Sequence, residues 1–92
     1  MKLKWTGKAL ADLERLHDFL AVVNNPPAAA RAVQSLIKTL TRLLENPRLG
    51  EQLFEFEERE VRRIIVGRYE IRYEIQDPCI YILRLWHTKE HR

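Results

Sequence analysis

A two-layer α+β fold is what this 92-residue chain predicts, and three observations predict it. Two stretches repeat apolar residues at three- and four-residue spacing and are joined by Asn24-Asn25-Pro26-Pro27. A later stretch, residues 61–86, alternates apolar and polar residues in three runs. A short alternating run, Lys2 to Trp5, opens the chain. Two amphipathic helices have to bury their stripes, and one face of a sheet is available to take them.

The elements follow in order. Leu3 and Trp5 face one way in the opening strand. Thr6 offers an oxygen acceptor at the N-cap of a first helix. Its stripe is Leu13, Leu16, Leu20 and Val23, with Asp12, Glu14, Arg15 and Asp18 expected to face water. The two prolines stop that helix, and Asn25 caps a second one that tolerates proline in its first turn. Ala30, Val33, Ile37, Leu40 and Leu44 form its stripe, and Asn46-Pro47 ends it. So short a link makes the pair an antiparallel hairpin. Arg48-Leu49-Gly50 is a turn, and Glu51 to Glu58 reads as a short edge strand or an extended loop. Strands are then expected over Val61–Val66, Tyr69–Gln76 and Cys79–Trp86, parted by Gly67-Arg68 and Asp77-Pro78. The predicted architecture is one domain over residues 1–92. It comprises an N-terminal strand and an antiparallel helical hairpin packed on an antiparallel β-sheet.

Pairing Val66 with Tyr69 across a two-residue turn sets Ile64 opposite Ile71 and Arg62 opposite Tyr73. Ile64, Val66, Tyr69, Ile71, Tyr73 and Ile75 then share the helix-covered face. Val61, Arg63, Ile65, Glu70, Arg72 and Glu74 share the other, with Arg63 beside Arg72. The last strand has two solutions. A two- or four-residue turn at Asp77-Pro78 puts Tyr81, Leu83, Leu85 and His87 on the arginine face. A bulge or a three-residue turn puts Arg84 and Trp86 there and buries Leu83 and Leu85, which is the tidier arrangement.

Composition narrows function. An apolar fraction of 46% is ordinary for a globular chain, and 32% charged is high. No run approaches the ~18 apolar residues of a membrane span, and the N-terminus lacks a signal-peptide pattern, so a cytoplasmic protein is expected. One cysteine, Cys79, agrees with a reducing compartment. Residues 1–58 balance their charges. Residues 59–92 hold eight Lys/Arg against five Asp/Glu, so the whole excess of +3 lies there. Such a distribution suits an acidic partner. Three scattered histidines and one cysteine give no zinc spacing, the glycines form no phosphate loop, and Ser35 lies mid-helix. No metal or other cofactor is expected. His17 reads as a helix-boundary residue, and His91 falls in the tail. His87, beside Trp86, is the one histidine next to strand arginines. Trp5 and Trp86 are aromatic surfaces for either packing or base stacking.

Four ordered motifs carry a resemblance that spans the chain. They are W-T-x-x-A-L-x-D-L (Trp5 to Leu13), P-x-L-G (Pro47 to Gly50), E-V-R-R-I-x-V-G-x-Y-E-I-R-Y-E-I (Glu60 to Ile75) and I-L-R-L-W-H-T-K-E (Ile82 to Glu90). Together they resemble the ParE/RelE superfamily of bacterial toxins from toxin–antitoxin modules. The resemblance implies a helical hairpin on a curved sheet and an antitoxin partner in a hetero-oligomer. It leaves two targets: DNA gyrase for ParE-type members, which have no assigned catalytic residues, and mRNA in the ribosomal A site for RelE-type members. RelE-type toxins generally carry an arginine after the tyrosine that opens the central strand, where this chain has Glu70. A carboxylate there repels the phosphate that cleavage must stabilise. Arg84 and His87 fit a pattern recurrent in ParE-type endings. The ParE-type reading assigns target binding to Arg63, Arg72, Arg84, Trp86, His87, Lys89 and Arg92. The alternative, a ribosome-dependent endoribonuclease, makes His87 the acid or base and Arg63, Arg72 and Arg84 the phosphate holders. A third reading is a non-toxic relic that only binds antitoxin. In all three the antitoxin's tail docks on Phe54, Phe56, Leu16 and Leu20.

Overall fold

The computed structural model describes residues 1–89; His91, expected in the tail, and Arg92, expected in target binding, lie outside them. Five strands, β1 (Lys2–Trp5), β2 (Glu51–Gln52), β3 (Glu60–Val66), β4 (Tyr69–Gln76) and β5 (Cys79–His87), form one sheet. Helices α1 (Gly7–Val23) and α2 (Pro26–Leu40) cover one of its faces. The sheet order is β1-β5-β4-β3-β2. The meander is antiparallel as expected, but the sheet is mixed, because β1 lies parallel to β5 at the edge. Nearly the whole chain intervenes between those two strands, which satisfies the long connection a parallel pair requires.

Local chemistry sets the helix ends. The Thr6 hydroxyl oxygen accepts from the Ala9 N–H (3.1 Å) and lies 2.9 Å from the Ile82 carbonyl oxygen, so the cap also ties α1 to β5. Asn25 accepts from the Ala28 N–H at 2.8 Å, with both prolines in the first turn. The second helix stops at Leu40, earlier than the stripe suggests, and tightens into a 3-10 turn over Thr41–Leu44. Thr39 and Thr41 bond back to the Ser35 and Lys38 carbonyls there, a competition that weakens regular helix. The buried line of α2 is Ala29, Leu36 and Leu40, continued by Leu43. That corrects the expected stripe: Ala30 and Ile37 are exposed, one position round the helix from the residues that pack. Val23, too, is exposed at the end of α1.

The core joins Ala9, Leu16, Leu36, Leu40 and Leu43 to Ile71, Tyr73, Ile75, Ile80, Ile82 and Leu85. Tyr73 anchors the segment that leads into the sheet. Its hydroxyl accepts from the Gly50 N–H and donates to the Pro47 carbonyl, both at 2.8 Å. A Cβ on residue 50 falls 2.7 Å from that hydroxyl and 2.6 Å from the Arg63 carbonyl, so only glycine fits. The turn of β3 into β4 uses Gly67 at φ 60°.

Candidate functional site

The candidate site is the sheet face that the helices leave uncovered. Pairing between β3 and β4 is the one alternation predicts: Val66 with Tyr69, Ile64 with Ile71, Arg63 with Arg72. The last strand combines both expected solutions. A two-residue turn pairs Gln76 with Cys79 and turns Tyr81 outward opposite Glu74. A register shift then leaves Leu83 as an extra residue between Ile82, opposite Tyr73, and Arg84, opposite Arg72. Beyond it the strand is inverted, so Leu85 enters the core and Arg84 and Trp86 face outward. Leu83 itself is not buried in the core as expected. It stays half-buried at the bulge.

Three arginines therefore stand abreast, Arg63, Arg72 and Arg84, on neighbouring strands about 5 Å apart. Like charges so placed repel unless carboxylates intervene, and carboxylates do. Glu51, paired with Arg63 on β2, meets its guanidinium at 3.3 Å. Glu70 lies 3.7 Å from Arg63 and 3.5 Å from Arg72. The Arg72 guanidinium stacks on the Trp86 ring, 5.1 Å from its centroid. Trp86 is only 9% exposed, so its packing on the sheet is its main surface.

The Arg84 end of the row is fixed by a residue that sequence spacing had assigned to water. Asp12 is 5% exposed. Its carboxylate accepts from Arg84 Nε (2.7 Å), Arg84 Nη2 (3.1 Å) and the Leu85 N–H (3.1 Å). Arg15, one turn on, reaches the Leu85 carbonyl at 3.4 Å. Strand β1 ends its pairing at Ile82, so α1 supplies the polar partners for the next stretch of that edge. Burial pushes the Asp12 carboxyl up, but the bonds from Arg84 and Leu85 and the charges of Arg84 and Arg15 outweigh it and hold the group below its usual range. Asp12 sits three residues after Ala9 and four before Leu16, so the buried line of α1 itself marks the position.

The loop over residues 53–59 also reaches this face. Arg59 forms a two-point pair with Glu74, at 3.1 and 2.7 Å, and lies over the Phe56 ring. Those bonds from Arg59 lower the Glu74 carboxyl despite its burial.

His87 is not in this constellation. It pairs with Tyr69 on the helix-covered side, with rings edge-on at 5.5 Å, and its Nδ1 accepts from the Lys89 N–H. Lys89 lies in the turn beyond β5. The candidate set therefore divides: Arg63, Arg72, Arg84 and Trp86 converge outside, His87 faces inward, and Arg92 lies outside the described residues. His17 contacts Asp18 at 3.3 Å, and Trp5 packs against the core. Among the docking candidates, Leu16 is 2% exposed, a core residue with no surface to offer. Leu20 and Phe56 are half-buried, and Phe54 is 79% exposed.

The chain is thus a small basic α+β protein, with a helical hairpin on one face of its sheet and a tethered arginine row on the other. A family model described as the ParE toxin of the type II toxin–antitoxin system parDE matches residues 3–92, and the chain belongs to that family, within the ParE/RelE superfamily. It is 35% identical to Toxin RelE2 of Caulobacter vibrioides, over 91% of each sequence. It also superposes on a chain from the chromosomal ParDE toxin–antitoxin system of P. aeruginosa, with a TM-score of 0.80 and 28% identity over 95% of both chains. Among the described residues, no helix is long and apolar enough to cross a membrane.

Proposed function

We propose that residues 1–92 act as one toxin domain that inhibits DNA gyrase by contact in the cytoplasm and is neutralised by a cognate antitoxin. One observation carries the preference for binding over catalysis: the sheet separates His87 from Arg63, Arg72 and Arg84. An acid or base has to reach the same scissile group that the arginines hold. Glu70, set between Arg63 and Arg72, supports the same reading, since it places negative charge where a phosphodiester needs cations. The outer face, with Arg72, Arg84 and Trp86 at its centre, is the target-binding surface. Lys89, exposed in the turn beyond β5, extends it.

The antitoxin's tail docks along the β3 edge, where β2 covers Arg62 and Arg63, the Leu53 N–H donates to the Val61 carbonyl, and Ile64 to Val66 are left for strand addition, with exposed Phe54 in the adjoining loop. Co-expression with the adjacent reading frame should yield a stable complex. Purified toxin should block supercoiling by gyrase in a minimal assay, and the antitoxin should restore it. Undiminished supercoiling at stoichiometric excess sinks the proposal.

The endoribonuclease reading keeps one supporting observation, the three arginines abreast, together with the RelE2 name of a relative. It requires A-site cuts in ribosome-bound mRNA that disappear with His87→Ala.

A further inference from the structure

The outer face contains a groove of about 620 Å³ that joins Arg72 and Arg84 to residues outside the target-binding set. One wall is the start of α1, with Thr6, Gly7 and Lys8; the other is the loop bearing Phe56 and Arg59. Val61, Leu83, Arg72 and Arg84 lie between them. Four cations thus come together from four separate parts of the chain, and among the described residues no acid lines the groove. The carboxylates that hold Arg59 and Arg84 meet Nε and Nη2 of each, leaving Nη1 for another acceptor; Glu70, which does not line the groove and lies between Arg72 and Arg63, meets Arg72 at Nε, 3.5 Å away. The first helix turn adds donors. Thr6 satisfies the N–H groups of Ala9 and Leu10, whereas those of Gly7 and Lys8 have no acceptor within the helix. Nothing lies within 4 Å of where a Gly7 Cβ would stand, so that end of the helix is open.

We propose that this groove binds a phosphate monoester carried on an apolar or planar body, of which a nucleoside monophosphate is the simplest example. The phosphate meets Lys8, Arg72, Arg84 and the open N-terminus of α1, because its three terminal oxygens match donors that arrive from several directions. The body lies on Val61, Leu83 and Phe56, the apolar part of the lining. The volume falls within the range of small-molecule sites. Lys8 and Arg59 come from outside the strands, and the bulge at Leu83 brings Arg84 round to them. The site stands on the cavity's own residues and not on the gyrase reading, so either can fail alone.

Isothermal titration calorimetry of the whole chain with AMP, in low-salt buffer free of phosphate, tests it. Saturation at one AMP per chain is expected, with adenosine giving no heat and inorganic phosphate binding about tenfold more weakly for want of the apolar contact. Lys8→Ala, an exposed position that leaves the fold intact, should weaken AMP about tenfold, and Arg72→Ala at least as much. Arg68→Ala, in the β3–β4 turn and outside the lining, should leave affinity unchanged. Failure of AMP to saturate, an Arg68→Ala loss equal to that of Lys8→Ala, or a short aspartate peptide that saturates the groove when AMP does not each overturns the assignment. Equal affinities for AMP and inorganic phosphate overturn the role given to Val61, Leu83 and Phe56.

Discussion

Strand β4 presents two surfaces built on different principles. Ile71, Tyr73 and Ile75 point inward and are buried against the helices; Glu70, Arg72 and Glu74 point outward among other charges. The inner side owes its stability to apolar area removed from water, which has no group to titrate. The outer side is held by guanidinium–carboxylate pairs whose partners come from β2, from the loop over residues 53–59 and from α1. Partners drawn from so many places give little net stability, but they fix where each arginine points. The inner face makes the fold and the outer face arranges donors.

The largest expected effect is a break in the inner face. Leu85→Ala should cost about 3 kcal/mol, read as a fall in thermal midpoint of roughly 10–20 °C. Asp12→Asn comes next, because Asp12 belongs to both regions. Asparagine keeps one acceptor oxygen but loses the charge and sets an NH2 donor against the donors of Arg84 or the Leu85 N–H, which should cost about 2 kcal/mol in chemical denaturation. Asp12 and Glu74 both have lowered carboxyl pKa values. Their contribution is therefore complete above the unfolded carboxyl value of about 4 and is lost as pH falls through the lower folded values. A midpoint series from pH 7 to 3 should show that acid-side decline, and a shallower one in Asp12→Asn. Tyr73→Phe should cost about 1–2 kcal/mol, since the Gly50 N–H and Pro47 carbonyl lose a shared buried partner. Arg72→Ala should be the mildest for folding, less than about 1 kcal/mol, given its half-exposed ion pair. Its effect should appear instead in target inhibition.

Much of the inner face was legible from the chain alone. Alternation placed Ile64, Ile71 and Tyr73, and the caps at Thr6 and Asn25 are where oxygen side chains precede apolar stripes. The bulge at Leu83 was legible only as one of two options. Alternation specifies faces within a strand, whereas a one-residue insertion is decided by packing across it, here by the burial of both Ile82 and Leu85. The α2 stripe was misread because Leu36 and Ile37 are both apolar neighbours, and only the sheet beneath chooses between them. Asp12 was misread because a charged residue was assumed to seek water. Its partner, Arg84, is seventy-two positions away and becomes its neighbour only after α1 closes over the edge of β5. Lys8 and Arg59 join the outer groove for the same reason: long-range folding, not spacing, assembles it.

The division between His87 inside and the arginines outside is the central claim, and gyrase and translation assays on one preparation test it most directly. Wild-type protein should inhibit supercoiling and leave ribosome-bound mRNA uncut; Arg72→Ala should lose at least tenfold in inhibition and His87→Ala almost nothing. A-site cleavage by the wild type that His87→Ala abolishes would contradict the account.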